Sequence, residues 1–196
     1  MFGKTYFEPW VGALYGKNEL KLLVLGDSRY DEEFTDKQII QGLVNGSYRH
    51  QTFTKFVQAA IGTRHWEPNY NESASSFWNR VVFCNYNTTF FPGGPREPEP
   101  ESERMNCQNA QLLREVLREW KPTHAVVWGF GNWGSLEVDG GYWSEPETIP
   151  GTVSKLYHTV TVDGYATLFA PILHPSSSFS YDEWRPMLKA FLTMKA

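Results

Sequence analysis

The sequence predicts an α/β fold of three layers, in which a short, mainly parallel central sheet lies between helices. Two observations lead to this prediction. Apolar runs of strand length alternate along the chain with segments whose apolar residues recur at helical spacing. The runs are also continuously apolar, which is typical of strands that are buried on both faces of a parallel sheet.

Length and composition predict one domain, residues 1–196, with a sizeable core. The 18 basic and 22 acidic residues give a net charge of −4, so any nucleic-acid contact would need a local basic patch. The two cysteines lack the spacing of a metal site or a disulfide framework. The sequence contains no apolar run of membrane-spanning length and no signal-peptide pattern. We therefore expect a cytoplasmic protein without a membrane partner, a metal or an organic cofactor.

Three apolar runs predict the central strands. Residues 20–25 lead into Gly26, residues 80–84 lead into Asn85, and residues 124–129 end in a glycine. Each run is short and is followed by residues that favour turns, which indicates a strand rather than a helix.

A β-hairpin is predicted around Asp163 and Gly164, a pair that is typical of two-residue turns. Its arms are residues 155–160 and 165–170. The second arm runs on through an apolar stretch to His174.

Apolar residues at helical spacing predict three helices. The segments are 49–61, 104–120 and 180–194. Pro122 ends the second helix, and Ser180 is suited to be the N-cap of the third. Residues 91–103 are rich in proline and glutamate, which predicts an extended surface loop.

Polar or glycine-rich turns follow the predicted strands. They read GDSRYD after the first, NYNTTF after the second, GFGNWG after the third and HPSSSFS after the last. Because open α/β sheets bind ligands beyond the carboxyl ends of their strands, the four turns predict one shared pocket.

In this order, the four blocks resemble the uracil-DNA glycosylase superfamily. Its members have a first motif such as G-Q-D-P-Y-H or G-E-A-P-G, a second strand that ends in asparagine, a third that ends near glycine, and a closing H-P-S. The resemblance runs from about residue 20 to the end of the chain. It implies a short parallel sheet between helices. It also implies base-excision repair chemistry, in which a uracil-like or damaged base is flipped out of DNA and its N-glycosidic bond is hydrolysed.

The resemblance also implies roles for individual residues. Asp27 matches the acid of the G-E-A-P-G motif and would steady the attacking water or the sugar cation, while His174 would donate to the base carbonyl. Asn85 would read the base edge, because an amide offers a donor and an acceptor side by side. Tyr30 matches the tyrosine that excludes a thymine methyl group, and Phe34 is our candidate for the stacking ring.

The loop after His174 would contact DNA. The side chain that wedges into the duplex usually follows H-P-S closely, and its matching position here is Ser178, beside Phe179. Apolar insertion between base steps is a known device, so Phe179 is the candidate wedge. Ser176 would contact a phosphate or cap the following turn.

The chain departs from the family pattern in its first motif. Ser28 stands where the G-Q-D-P-Y-H type has its water-activating aspartate, and Arg29 replaces the motif proline. The iron–sulfur cysteines of the G-E-A-P-G branch are absent. Enzymatic activity therefore stays an open question at this stage.

Two alternatives remain. The chain could be a catalytically weak or inactive module that binds a nucleic acid, a free nucleobase or a nucleotide on the same fold. It could also be an SGNH-type esterase with Ser28 as nucleophile and His174 as base, since GDS after a strand resembles that family's opening block. Against the esterase, Pro171 stands where that family places its aspartate.

Overall fold

Eight strands and six helices make up residues 7–28, 34–88 and 107–196, the part of the chain that this computed structural model describes. The strands are β1 (Trp10–Val11), β2 (Leu22–Gly26), β3 (Val81–Asn85), β4 (His124–Trp128), β5 (Tyr142–Trp143), β6 (Glu147–Thr148), β7 (Leu156–Val162) and β8 (Tyr165–Ile172). The helices are α1 (Asp36–Asn45), α2 (Gln51–Ile61), α3 (Tyr70–Trp78), α4 (Cys107–Trp120), α5 (Phe130–Gly134) and α6 (Tyr181–Leu192).

All eight strands belong to one mixed sheet. Its order is β1-β3-β2-β4-β8-β7-β5, and β6 pairs with β7 off this path. The four central strands, β3, β2, β4 and β8, run parallel to one another, whereas β1, β5, β6 and β7 pair in the antiparallel sense. The predicted α/β class is confirmed. The sheet is mixed rather than mainly parallel, because antiparallel strands complete both of its edges.

Alternate residues of the central strands pack into two separate cores. In β2, Leu22 and Val24 join the core that contains residues of α1, α2, α3 and α6. Leu23 and Leu25 join the core that contains residues of α4. These four side chains are at most 2% exposed, and each contributes about 1.5–3 kcal/mol through burial. Helices therefore cover both faces of the sheet, as continuously apolar strands require.

Two helices that follow β2 have well-formed ends. Thr35 and Gln38 form a capping box at the start of α1, and Gly46 ends that helix in the left-handed conformation. Gly62 ends α2 in the same way, and its N–H donates to the carbonyl of Gln58. The sequence analysis did not identify α1, although its capping signal is present.

The predicted hairpin joins β7 to β8. Asp163 and Gly164 have φ angles of 50° and 80°, the pair of positive values that a type I′ turn needs. The predicted helices correspond to α2, α4 and α6, with ends that agree within three residues. Ser180 is the N-cap of α6 by position, but its side chain makes no capping hydrogen bond. The predicted loop 91–103 lies outside the described residues.

None of the described helices is both long enough and apolar enough to cross a membrane.

Candidate functional site

The carboxyl ends of the four central strands lie along the same edge of the sheet, because these strands are parallel to one another. The chain leaves β2 towards α1 on one face of the sheet, while α4, which follows β3, covers the other face. Open α/β sheets bind ligands beyond the carboxyl ends of their strands. Asp27 follows β2, Gly129 follows β4 and His174 follows β8, so all three lie at the carboxyl ends of neighbouring strands.

Asp27 and His174 lie beside the same glycine. The Gly129 N–H donates to the carbonyl of Ile172 at 2.9 Å, which holds the end of β4 against the end of β8. A Cβ atom built on Gly129 would lie 3.7 Å from Oδ2 of Asp27 and 3.8 Å from Cδ2 of His174. Gly129 has a φ of 91° and a ψ of 126°, a conformation that is open essentially to glycine alone. The glycine therefore leaves a small space that both the carboxylate and the imidazole border.

The protonation of His174 follows from its contacts. Its Nδ1 accepts a hydrogen bond from the Ser176 N–H at 3.2 Å and from the Ser176 hydroxyl at 2.7 Å. Because a backbone N–H can only donate, the proton of the neutral ring is on Nε2. Burial lowers the pKa of His174 to about 4, and Trp128 packs edge-to-face against the ring at 5.8 Å. At neutral pH this residue is therefore an uncharged imidazole with its proton on Nε2.

A chain of buried amides holds Asp27. Asn87 is 2% exposed, and its Nδ2 donates to the Ser28 Oγ at 3.1 Å and to Oδ1 of Asp27 at 3.5 Å. The Ser28 hydroxyl donates to the same oxygen of Asp27 at 3.3 Å. The Oδ1 of Asn87 accepts from the Nδ2 of Asn109, at the start of α4, at 3.1 Å. The acid is thus fixed by residues of two further chain segments.

Asn85 is engaged by a second carboxylate, which the sequence analysis did not identify. Its N–H and its Nδ2 donate to Asp36 at 2.8 and 2.7 Å, and Asp36 is 4% exposed. Its Oδ1 packs over Gly26, its partner in the parallel register. One of the two N–H donors of the Asn85 amide is therefore used inside the protein, which fixes the orientation of the amide group.

The remaining predicted site residues lie in different environments. Phe34 precedes α1 and is 43% exposed, whereas Tyr30 lies outside the described residues. Ser176 is exposed and contacts His174, and Ser178 is exposed in the same loop. Phe179 is 7% exposed.

This burial bears on the proposed wedge. The Phe179 ring stacks on Trp184 at 5.8 Å, with the two ring planes 11° apart. A wedge needs an exposed ring, so in this conformation the buried Phe179 side chain belongs to the core and could not insert between bases.

The contacts of Ser28 and His174 are not those of a hydrolytic triad. In such a triad the histidine donates from Nδ1 to an acid, which orients the ring towards the serine. Here Nδ1 accepts from Ser176, and the Ser28 hydroxyl donates to Asp27. The site therefore gives no support to the esterase alternative.

The three buried residues Asp36, Asn87 and Asn109 are site residues that sequence reasoning missed. Asn87 had a signal, since it repeats Asn85 two positions later in NYN. Asp36 follows the capping residue Thr35, where an acid has a separate explanation as a helix-start residue.

Comparisons with known proteins add no family to this description. No protein-family model matches the chain, and a search of curated proteins finds no significant relative. Within residues 7–28, 34–88 and 107–196, no three His, Cys, Asp or Glu side chains form a group that could hold a metal ion.

Proposed function

We propose that the chain is a uracil-DNA glycosylase-like hydrolase, which cleaves the N-glycosidic bond of a uracil-like or damaged base flipped out of DNA. The proposal depends mainly on one observation: the Asp27 carboxylate and a neutral His174 imidazole both lie beside Gly129. The ordered resemblance of the four strand-end blocks and the parallel centre of the sheet between helices support it.

The two side chains match the charges that develop in this reaction. Cleavage of the bond leaves a cation-like sugar and an anionic base. A neutral imidazole with its proton on Nε2 donates to the base carbonyl as negative charge grows there. The Asp27 carboxylate stabilises the sugar cation or orients the attacking water. Neither group needs to change its protonation state before the bond breaks.

Asn85 and Phe34 would recognise the base. The Oδ1 of Asn85 can accept the ring N–H of a uracil-like base, while its Nδ2 stays on Asp36. The 43% exposure of the Phe34 ring is compatible with stacking on a flipped base.

A second candidate is a module that binds the base without cleaving it. Two donors, the Ser28 hydroxyl and the Asn87 amide, point at Oδ1 of Asp27. Hydrogen bonds to a carboxylate stabilise its charged form and weaken it as a base towards water. This observation favours weak or absent catalysis on the same site.

The test is the formation of abasic sites in oligonucleotides that contain uracil, hypoxanthine or a mismatch, detected by alkaline strand cleavage. We expect Asp27→Asn and His174→Ala each to reduce the rate by about a hundredfold or more. Asp139→Asn is the matched control, because Asp139 is an exposed carboxylate whose Oδ2 lies 3.6 Å from Arg114 and which has no role in the proposed site. Undiminished activity in both site variants would refute the proposed roles. Base binding without abasic sites would identify the second candidate.

A further inference from the structure

A groove crosses α2 beside the loop that carries His174. It consists of two adjacent hollows of about 420 and about 370 Å³, and Thr54 and His65 line both of them. The first hollow lies among α1, α2 and α3. The second lies between α2, the segment before α3 and the start of α6. We call this depression the α2 groove.

The charge of the α2 groove is opposite to that of the whole chain. Arg49, Lys55 and Arg64 line it, and no Asp or Glu occurs among the described residues of its lining. The chain as a whole has more acidic than basic residues. Asp182, which lies outside the lining, forms an ion pair with Arg64 at 2.8 Å. Of the three groove cations, Arg49 and Lys55 therefore have no ion pair with a carboxylate among the described residues. A local excess of cations indicates a polyanionic ligand.

An exposed tryptophan, Trp66, is the second feature of the α2 groove that indicates its ligand. Trp66 is 67% exposed, although indole rings are usually well buried. The guanidinium carbon of Arg64 lies 5.5 Å from the centroid of the Trp66 ring and 3.5 Å from that of Tyr181. The His65 ring meets Trp66 edge-on at 4.9 Å. Arg64 thus lies over one face of the indole, and the residue stays largely exposed, as a stacking platform requires.

The α2 groove is joined to the loop that follows His174. The Lys55 Nζ donates to the carbonyl of Ser177 at 3.2 Å, and Phe179 lines the second hollow. A ligand in the groove would therefore lie next to the candidate site.

We propose that the α2 groove binds a single strand of DNA, with bases stacked on Trp66 and phosphates near Arg49 and Lys55. Stacking on a protein ring needs a base whose face is uncovered, which an unpaired strand offers and a duplex does not. The choice of DNA over another polyanion rests on the proposed function.

The experiment measures fluorescence anisotropy of a labelled oligothymidylate of about 16 nucleotides, the upper end of common single-strand site sizes. We expect Trp66→Ala and the pair Arg49→Gln/Lys55→Gln each to weaken binding by about tenfold or more. The cation variant should also make binding less sensitive to salt, because fewer counterions are released. Unfolding midpoints in urea verify that each variant is folded.

Two variants away from the α2 groove serve as matched controls. Tyr142→Ala removes an aromatic ring that is 72% exposed on β5, and Arg118→Gln removes a cation from α4, which covers the opposite face of the sheet. Both should bind the oligothymidylate like the unaltered protein.

Several results would overturn the inference: no binding, equal losses in the control variants, or a preference for duplex DNA or for an RNA strand. The results that would refute the proposed function differ from those that would refute the groove. Weaker binding in the groove variants without abasic sites on any substrate supports the groove and refutes hydrolysis. Abasic-site formation with unaltered binding in the groove variants supports hydrolysis and refutes the groove.

Discussion

Gly26 and Asn85 pack so closely that the substitution Gly26→Ala tests the geometry of the strand ends. A Cβ atom on Gly26 would overlap Oδ1 of Asn85, and would lie 3.2 Å from Cγ of Asn85 and 3.3 Å from Cζ of Phe83. Asn85 cannot move away without loss, because its N–H and Nδ2 are held by Asp36 at 2.8 and 2.7 Å.

The expected cost has two parts. Forcing an extra carbon into a packed site costs about 1–3 kcal/mol. If the Asn85 side chain swings away, the buried Asp36 loses a hydrogen bond at a further cost of about 1–3 kcal/mol. We therefore expect Gly26→Ala to lower the free energy of unfolding by about 2–6 kcal/mol, measured by urea unfolding with tryptophan fluorescence.

The control is the same substitution in an Asn85→Ala background, where the overlapping oxygen is gone. There, Gly26→Ala should cost less than about 1 kcal/mol, so the double-mutant cycle should show a coupling of at least about 1 kcal/mol. Equal costs in the two backgrounds, or no cost in the unaltered protein, would refute the packing argument.

Three further predictions concern stability. The His174 imidazole takes up a proton near its ordinary pKa of 6.5 in the unfolded state and near 4 in the folded state, so the unfolded state binds more protons between these pH values. The free energy of unfolding should therefore fall by at most about 3 kcal/mol as the pH drops from 6.5 to 4. The fall should be smaller in His174→Gln, which a comparison of urea midpoints measures. Gly129→Ala should cost about 1–3 kcal/mol in urea unfolding because its φ is 91°, while Gly134→Ala, with no atom near the added methyl, should stay within about 0.5 kcal/mol. Because the Phe179 ring is buried, Phe179→Ala should lower the free energy of unfolding by about 3–5 kcal/mol, whereas Ser178→Ala should lower it by about 0.5 kcal/mol or less. A similarly small decrease in Phe179→Ala would make Phe179 a wedge candidate again.

The elements that could be predicted are those whose signal is local. The central strands are continuously apolar because both of their faces are buried, and the hairpin turn shows in Asp163 and Gly164 because few residues accept a positive φ. The helix α3 could not be predicted, because its polar sequence is anchored mainly by Tyr70 and Trp78. The two-residue strands β1 and β5 have no signature, since their neighbours in the sheet determine their pairing.

The site could be predicted where strand direction alone decides it. Asp27 and His174 follow β2 and β8, the parallel strands on either side of β4. Their closeness therefore follows from the order of the strands in the sheet. The engagement of Asn85 by Asp36 joins residues 49 positions apart, and its hydrogen bonds depend on how α1 is docked. No local pattern records such a contact, and the same holds for the bond between Asn87 and Asn109.

The short strands β1 and β5 have a consequence for behaviour at high concentration. Each is two residues long and pairs with a longer strand, β3 or β7, near the margin of the sheet. Long, unpaired edge strands are templates to which other copies can add strands and grow fibrils. Very short edge strands offer other copies few backbone groups for hydrogen bonds. We therefore expect these two short edge strands to add few strands from other copies, and concentrated samples to remain clear and free of thioflavin-binding material.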